Sequence, residues 1–200
     1  MAEKPIIFST VMVRAILDGR KTVTRRIIKP QPVTQPEYQE KPTITTDGTL
    51  YFSRLHRNIK MPSQVGDILW VKEGWRCTGG GSDRNIIYKA DGDTPVSFCG
   101  IDDGRKSILH VAEPYWAEWD RLVYRTDRGC NWRSARFMFK WAARLWLEVL
   151  NVRPERLQDT TNALEEDAML WDKLNKSRGY SWDSNPWIWR YEFRRLEERR

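Results

Sequence analysis

Cysteine and histidine are scarce in this chain. Its 200 residues contain three cysteines, Cys77, Cys99 and Cys130, and two histidines, His56 and His110. An odd cysteine count without paired metal-ligand spacing argues against a disulfide framework or a cysteine-rich zinc module, and for a reducing compartment. Two histidines leave little material for a histidine zinc centre or a Ser–His catalytic arrangement. No stretch of about 18 apolar residues could span a bilayer, and no leading apolar run reads as a signal peptide. The expectation is a soluble, cytoplasmic protein with no membrane partner, no metal and no cofactor.

Tryptophan and positive charge are plentiful. Hydrophobic residues make up 40 % of the chain, 11 of them tryptophan, and the formal net charge is +7. That is ample material for a packed core. The charge is uneven: residues 14–29 and 133–144 are basic, whereas 155–172 is acidic. A basic surface rich in rings points first to nucleic acid and second to an anionic small molecule. The plain alternative is a basic protein with no such partner.

The pattern of elements is mixed. Val11, Met12, Ala15, Ile16 and Leu17 fall at helical spacing between a Ser9 or Thr10 cap and Gly19, which predicts a helix over Ser9–Asp18. Ile6-Ile7-Phe8 suits a short strand before it. Pro30, Pro32 and Pro36 open a long excursion from 30 to 64, with a small hairpin predicted around Asp47-Gly48. Ile68-Leu69-Trp70-Val71 reads as a strand buried on both faces, with Glu73, Trp75 and Arg76 emerging at its end. Ile86 to Ala90 and Leu145 to Val152 read as strands, and Ala163 to Leu174 as a helix with acidic residues first. Gly79-Gly80-Gly81 lacks phosphate-loop spacing and reads as an insertion tip. Trp187, Trp189, Tyr191 and Phe193 alternate along a final strand with one buried aromatic face. Strands separated by a few helices, without a βαβ rhythm, predict a small mixed barrel of the α+β class.

The stretch Gly19-Arg20-Lys21-Thr22-Val23-Thr24-Arg25-Arg26 gathers four cations and two hydroxyls directly after the first helix. It suits a phosphate or a polar base, and equally a solvated strand. A second concentration follows at Arg133, Arg136, Lys140 and Arg144, interleaved with Phe137, Phe139 and Trp141. Its composition is that of a stacking and phosphate surface. The alternative is that its rings are core and only its cations face water, which is the preferred reading for Trp141.

Together, the Gly-Arg-Lys-Thr-x-Thr element, Gly66-Asp67-Ile68-Leu69-Trp70-Val71-Lys72-Glu73-Gly74-Trp75, Phe137-Met138-Phe139-Lys140-Trp141-Ala142-Ala143-Arg144 and the terminal Trp-Ile-Trp-Arg-Tyr-Glu-Phe strand resemble the ASCH domain family. These are relatives of the PUA RNA-binding domains, and the likeness is strongest to the longer bacterial and phage ASCH proteins. The resemblance implies a single domain, residues 1–200, with a PUA-like mixed β-barrel, flanking helices and loop-rich insertions near 31–64 and 77–131. It implies a cleft beside the first helix that accepts RNA or a modified nucleoside, with Arg20, Lys21, Thr22, Arg25, Arg26, Arg133, Arg136, Lys140 and Arg144 as nucleic-acid-binding residues.

Some small members of that family hydrolyse the acetyl amide of N(4)-acetylcytidine with a lysine and a threonine of this motif and a glutamate of a later helix. Lys21 and Thr24 match the first two. The glutamate position falls on Trp171, with Asp172 beside it. In a hydrolase of this kind Thr24 attacks, Lys21 must be neutral, and a carboxylate such as Glu73 moves the proton. Arg20, Arg25 and Arg26 would lower the Lys21 pKa. Glu73 has a second reading, as a strand-end carboxylate paired with a nearby arginine. Three functions therefore stand in order: binding of RNA or a modified nucleoside, deacetylation of N(4)-acetylcytidine, and ribonuclease action.

Overall fold

A computed structural model describes residues 1–32, 43–45, 49–52, 57–78, 84–92, 109–124, 131–159 and 165–197. In chain order the elements are β1 (Glu3–Ile7), α1 (Thr10–Leu17), β2 (Val23–Ile27), β3 (Thr43–Ile44), β4 (Thr49–Phe52), β5 (Arg57–Lys60) and β6 (Ile68–Lys72). There follow β7 (Trp75–Thr78), β8 (Asn85–Tyr88), β9 (Leu109–His110), α2 (Trp116–Tyr124), β10 (Trp146–Arg156), α3 (Glu165–Asn175) and β11 (Trp187–Leu196). The class is mixed α+β, as strands separated by a few helices without a βαβ rhythm predict. Two compact units divide the chain: Met1–Thr22 with Ile68–Glu148 and Arg194–Arg200, and Val23–Asp67 with Val149–Phe193.

In the first unit, α1 starts where the Ser9 hydroxyl accepts the Met12 N–H, and it turns Val13 and Ile16 inward. β6 is buried at Leu69, Trp70 and Val71 because it has a neighbour on each side. β1 runs parallel to it, Glu3 opposite Ile68 and Ile7 opposite Lys72, and the start of β10 runs antiparallel, Trp146 opposite Trp70. A second sheet, in the order β7-β8-β9, is extended by a bridge between Trp75 and Arg133. Its core gathers Trp70, Trp75, Cys77, Ile86, Tyr88, Trp119, Met138 and Trp146. Burying three or more such rings, at about 150–250 Å² each, explains how a unit this polar overall holds together.

In the second unit, β11 pairs antiparallel with β2, Tyr191 opposite Thr24 and Trp189 opposite Arg26. Trp187, Trp189, Tyr191 and Phe193 are all buried, the one aromatic face that their alternation predicts. The other face carries Ile188, which joins Leu157 and Trp171 in a separate apolar cluster. The arms of the expected hairpin pair as β3 and β4, Thr43 opposite Tyr51. Its Asp47-Gly48 turn lies outside the described residues, as do Gly79 to Gly81 and the start of the helix at Ala163.

The expected closed barrel is not what the described strands form. Their largest sheet is open, in the order β1-β6-β10-β11-β2. Its outer strands are chemically suited to remain edges. Pro5 in β1 has no N–H to donate, and Arg25 and Arg26 load β2 with charge. The short segment 132–144, dense in cations and rings, folds with two 3₁₀ turns, Ala135–Phe137 and Lys140–Ala142.

Candidate functional site

The Gly-Arg-Lys-Thr element begins at the C-terminus of α1. The Asp18 N–H donates to Arg14 O (2.9 Å), Gly19 takes a left-handed φ of +73°, and the Lys21 N–H returns to Ala15 O (2.9 Å). A side chain at Gly19 would strain that turn, so the glycine is what lets the helix hand over to extended chain. Arg20 is exposed and pairs with Asp18 (Nη2–Oδ2 2.6 Å); Thr22 is exposed and Lys21 half-buried. These three residues belong to the first unit, whereas Thr24, Arg25 and Arg26 belong to the second.

Along β2 the side chains alternate. Thr24 and Arg26 share the face of Tyr191 and Trp189, and Thr24 is buried there. Burial lowers the Arg26 pKa, opposed by Tyr191, while burial pushes the Tyr191 hydroxyl up. Arg25 lies on the other face, directly opposite Arg190. Two guanidiniums in register repel. Glu192, hydrogen-bonded to Arg190, and Glu155, 3.7 Å from it, offset that repulsion.

Glu73 stands at the end of β6, where the chain turns into β7. It is 1 % exposed, and Arg144 grips it with two parallel bonds, Nε–Oε1 2.9 Å and Nη2–Oε2 3.0 Å. The same guanidinium reaches both Asp91 oxygens through Nη1 (2.9 Å each) and lies 4.1 Å over the Tyr88 ring. The Tyr88 hydroxyl donates to Ala142 O (2.7 Å), and the Lys89 N–H to Gly74 O (2.8 Å). Burial pushes the Glu73 carboxyl up, against the downward pull of the Arg144 bonds. Burial opposes the charge on Arg144, yet Glu73 and Asp91 outweigh it and raise its pKa. The cluster is a built pairing, with the guanidinium as its cation, and the arginine partner that Glu73 invites in sequence is Arg144. Sequence reasoning missed Tyr88 and Asp91, which carry no spacing signal and meet Arg144 only in three dimensions.

The rest of the second basic segment divides by exposure. Arg133 donates to Leu122 O (2.7 Å) and sits over the Trp75 ring. Lys140 is exposed and ion-paired with Glu3. Arg136 and Phe137 are exposed side by side on the first 3₁₀ turn, and Lys72 Nζ donates to Arg136 O (2.5 Å). Phe139, Trp141 and Tyr115 are half-buried and stacked, and Trp141 donates to Glu118 (2.5 Å). Trp141 is thus packed on the core without being sealed in it. Tyr115 and Glu118, which sequence reasoning also passed over, arrive from the α2 region.

Trp171, where the resemblance would place a glutamate, is buried against Leu157 and Ile188 and donates its indole N–H to Tyr180 O (2.9 Å). Its neighbour Asp172 accepts the Trp182 N–H (2.6 Å). Among the described residues, no three His, Cys, Asp or Glu side chains gather to hold a metal ion, and no helix is long and apolar enough to cross a membrane. No family model, no curated protein and no solved structure matches this chain.

Proposed function

We propose that this chain binds single-stranded RNA or a modified nucleoside, as an ASCH-type protein of PUA-like architecture, and does not hydrolyse what it holds. The observation that carries the reading is the exposed pair Arg136–Phe137 on a 3₁₀ turn, in a segment that also holds the stacked, half-buried rings Phe139 and Trp141. A cation beside an accessible ring is what a strand of unpaired nucleotides needs, a phosphate contact next to a base contact. Arg20 and Lys140 are exposed as well, each sharing its charge with a carboxylate, Asp18 and Glu3.

Binding stands ahead of deacetylation because the carboxylates that the sequence offers for that chemistry are already engaged. A general base must be free to take a proton. Glu73 is gripped by Arg144, and Asp172 holds the Trp182 amide.

The test combines two measurements on the purified chain. Anisotropy of a labelled single-stranded RNA should show affinity that falls steeply between about 50 and 300 mM salt as counterions are released. Incubation with N(4)-acetylcytidine should leave it intact. Cytidine release that Lys21→Ala abolishes would establish the hydrolase in place of the pure binder. Absent or salt-indifferent RNA binding would remove the electrostatic account.

A further inference from the structure

We infer that Tyr115 is the ring on which an unpaired base of that RNA stacks; the inference rests on the binding reading above. Phe139 and Trp141 lie 5.6 Å apart between centroids at 11°, and Trp141 and Tyr115 5.4 Å apart at 14°. Both pairs have the offset, near-parallel geometry that aromatic systems prefer. Among the described residues, a further ring meets the column at one end and not at the other. At Phe139 the fully buried Trp75 meets it edge-on, with centroids 6.1 Å apart at 83°. At the other end stands Tyr115, half-buried, with no further ring stacked on it among the described residues.

The Tyr115 end is also rigid. Pro114 fixes the backbone of the 3₁₀ turn Glu113–Tyr115, and the Tyr115 N–H closes that turn on Ala112 O (2.9 Å). Trp141 is pinned by its bond to Glu118. A platform already ordered loses little entropy when a base arrives, and a base supplies the flat π-face that continues the column. The neighbouring Trp116 is less suited, since its indole N–H is given to Val111 O and the Arg84 guanidinium lies 4.7 Å over its ring.

Charge assigns the contact to a base rather than to the backbone. Glu113 and Glu118 flank Tyr115 in sequence, and carboxylates repel phosphate. The cations that meet phosphate are instead those of the 133–144 segment. Tyr115 therefore contributes to affinity without contributing to its salt dependence, which separates it from Arg136.

The experiment measures anisotropy of a labelled oligouridine at several salt concentrations for wild type, Tyr115→Phe and Tyr115→Leu, with thermal melts confirming the fold. Tyr115→Leu should weaken binding about five- to a hundredfold at every salt, with an unchanged slope, whereas Tyr115→Phe stays within about twofold. In parallel, wild-type protein is photo-crosslinked to 5-iodouridine RNA and the adduct mapped; this readout needs no variant to fold, and it should fall on Tyr115. Wild type that binds no RNA at low salt overturns the binding reading itself. Wild type that binds, with Tyr115→Leu equally tight or the adduct mapped only elsewhere, overturns the stacking assignment and leaves that reading standing.

Discussion

Residues 20–26 and 133–144 carry four cations each, and the fold disposes of those cations in different ways. In 133–144 the two flanking arginines turn inward: Arg144 is clamped between Glu73 and Asp91, and Arg133 is bonded to Leu122 O. The central Arg136 and Lys140 stay at the surface. In 20–26 the division follows the backbone instead. Arg20 lies on the exposed end of a helix, and the strand then sends Arg25 and Arg26 to opposite faces. Counting cations along the chain overstates what a ligand meets. Carboxylate neighbours and strand alternation decide which of those charges are left for a ligand.

The largest test of that contrast is at Arg144. Arg144→Ala leaves Glu73 buried beside Asp91 without its counter-charge, and should cost about 3–5 kcal/mol in urea denaturation. The double variant Glu73→Leu/Arg144→Met, which removes both charges, should recover most of the loss. If Arg144→Ala instead unfolds like wild type and loses RNA affinity, the residue belongs with the surface cations and the contrast breaks.

Why the sequence speaks to some of this and not the rest is a matter of range. α1, β6, β10 and β11 are legible because a repeat of apolar residues within five to ten positions is enough to define a buried face. The aromatic stripe of β11 is the clearest instance. The sheet's openness is a property of its edges, and its local signs, Pro5 in β1 and the charges of β2, gain that meaning only once the strand order is known. The 3₁₀ turns of 132–144 are shorter than any period that a hydrophobic pattern can display. Glu73 shows in sequence that it wants an arginine, yet its partner lies 71 residues away, among residues whose composition advertises phosphate contact. Trp171 is misleading for the same reason. The suspected resemblance would put chemistry at this position, whereas its surroundings, Leu157 and Ile188, come from distant segments and make it core.

A smaller effect should sharpen the contrast from the surface side. Arg136→Ala should weaken RNA binding uniformly across sequences and lower the slope of log affinity against log salt by about 0.7. Because the side chain is exposed, stability should stay within about 0.5 kcal/mol of wild type. Arg144→Lys should behave in the opposite sense, since an ammonium cannot reproduce the fork that holds Glu73 and Asp91. Its loss should appear in stability and not in the salt slope. An Arg136→Ala chain with an unaltered slope would place the phosphate contacts elsewhere.

The smallest effect concerns a third arginine, neither clamped inside nor offered to solvent. Arg84 gives Nε and Nη2 to the two oxygens of Asp120 (2.8 and 2.9 Å) while lying over Trp116 and Trp119. Its hydrogen bonds hold the Asp120 carboxyl below the ordinary aspartate value of 3.8. A carboxyl depressed in the folded state stabilises above its unfolded pKa, and the contribution disappears as pH falls through the folded value. Asp120→Asn should therefore melt below wild type at neutral pH, with the gap closing as the medium is acidified. Solvent screening keeps the gap small. A gap that persists unchanged in acid would mean that the carboxylate charge plays no part, and that ring packing alone seats Arg84 over Trp116. In that case an arginine on this surface is held by aromatic contact without any carboxylate, and pairing is no longer the rule that sorts held cations from available ones.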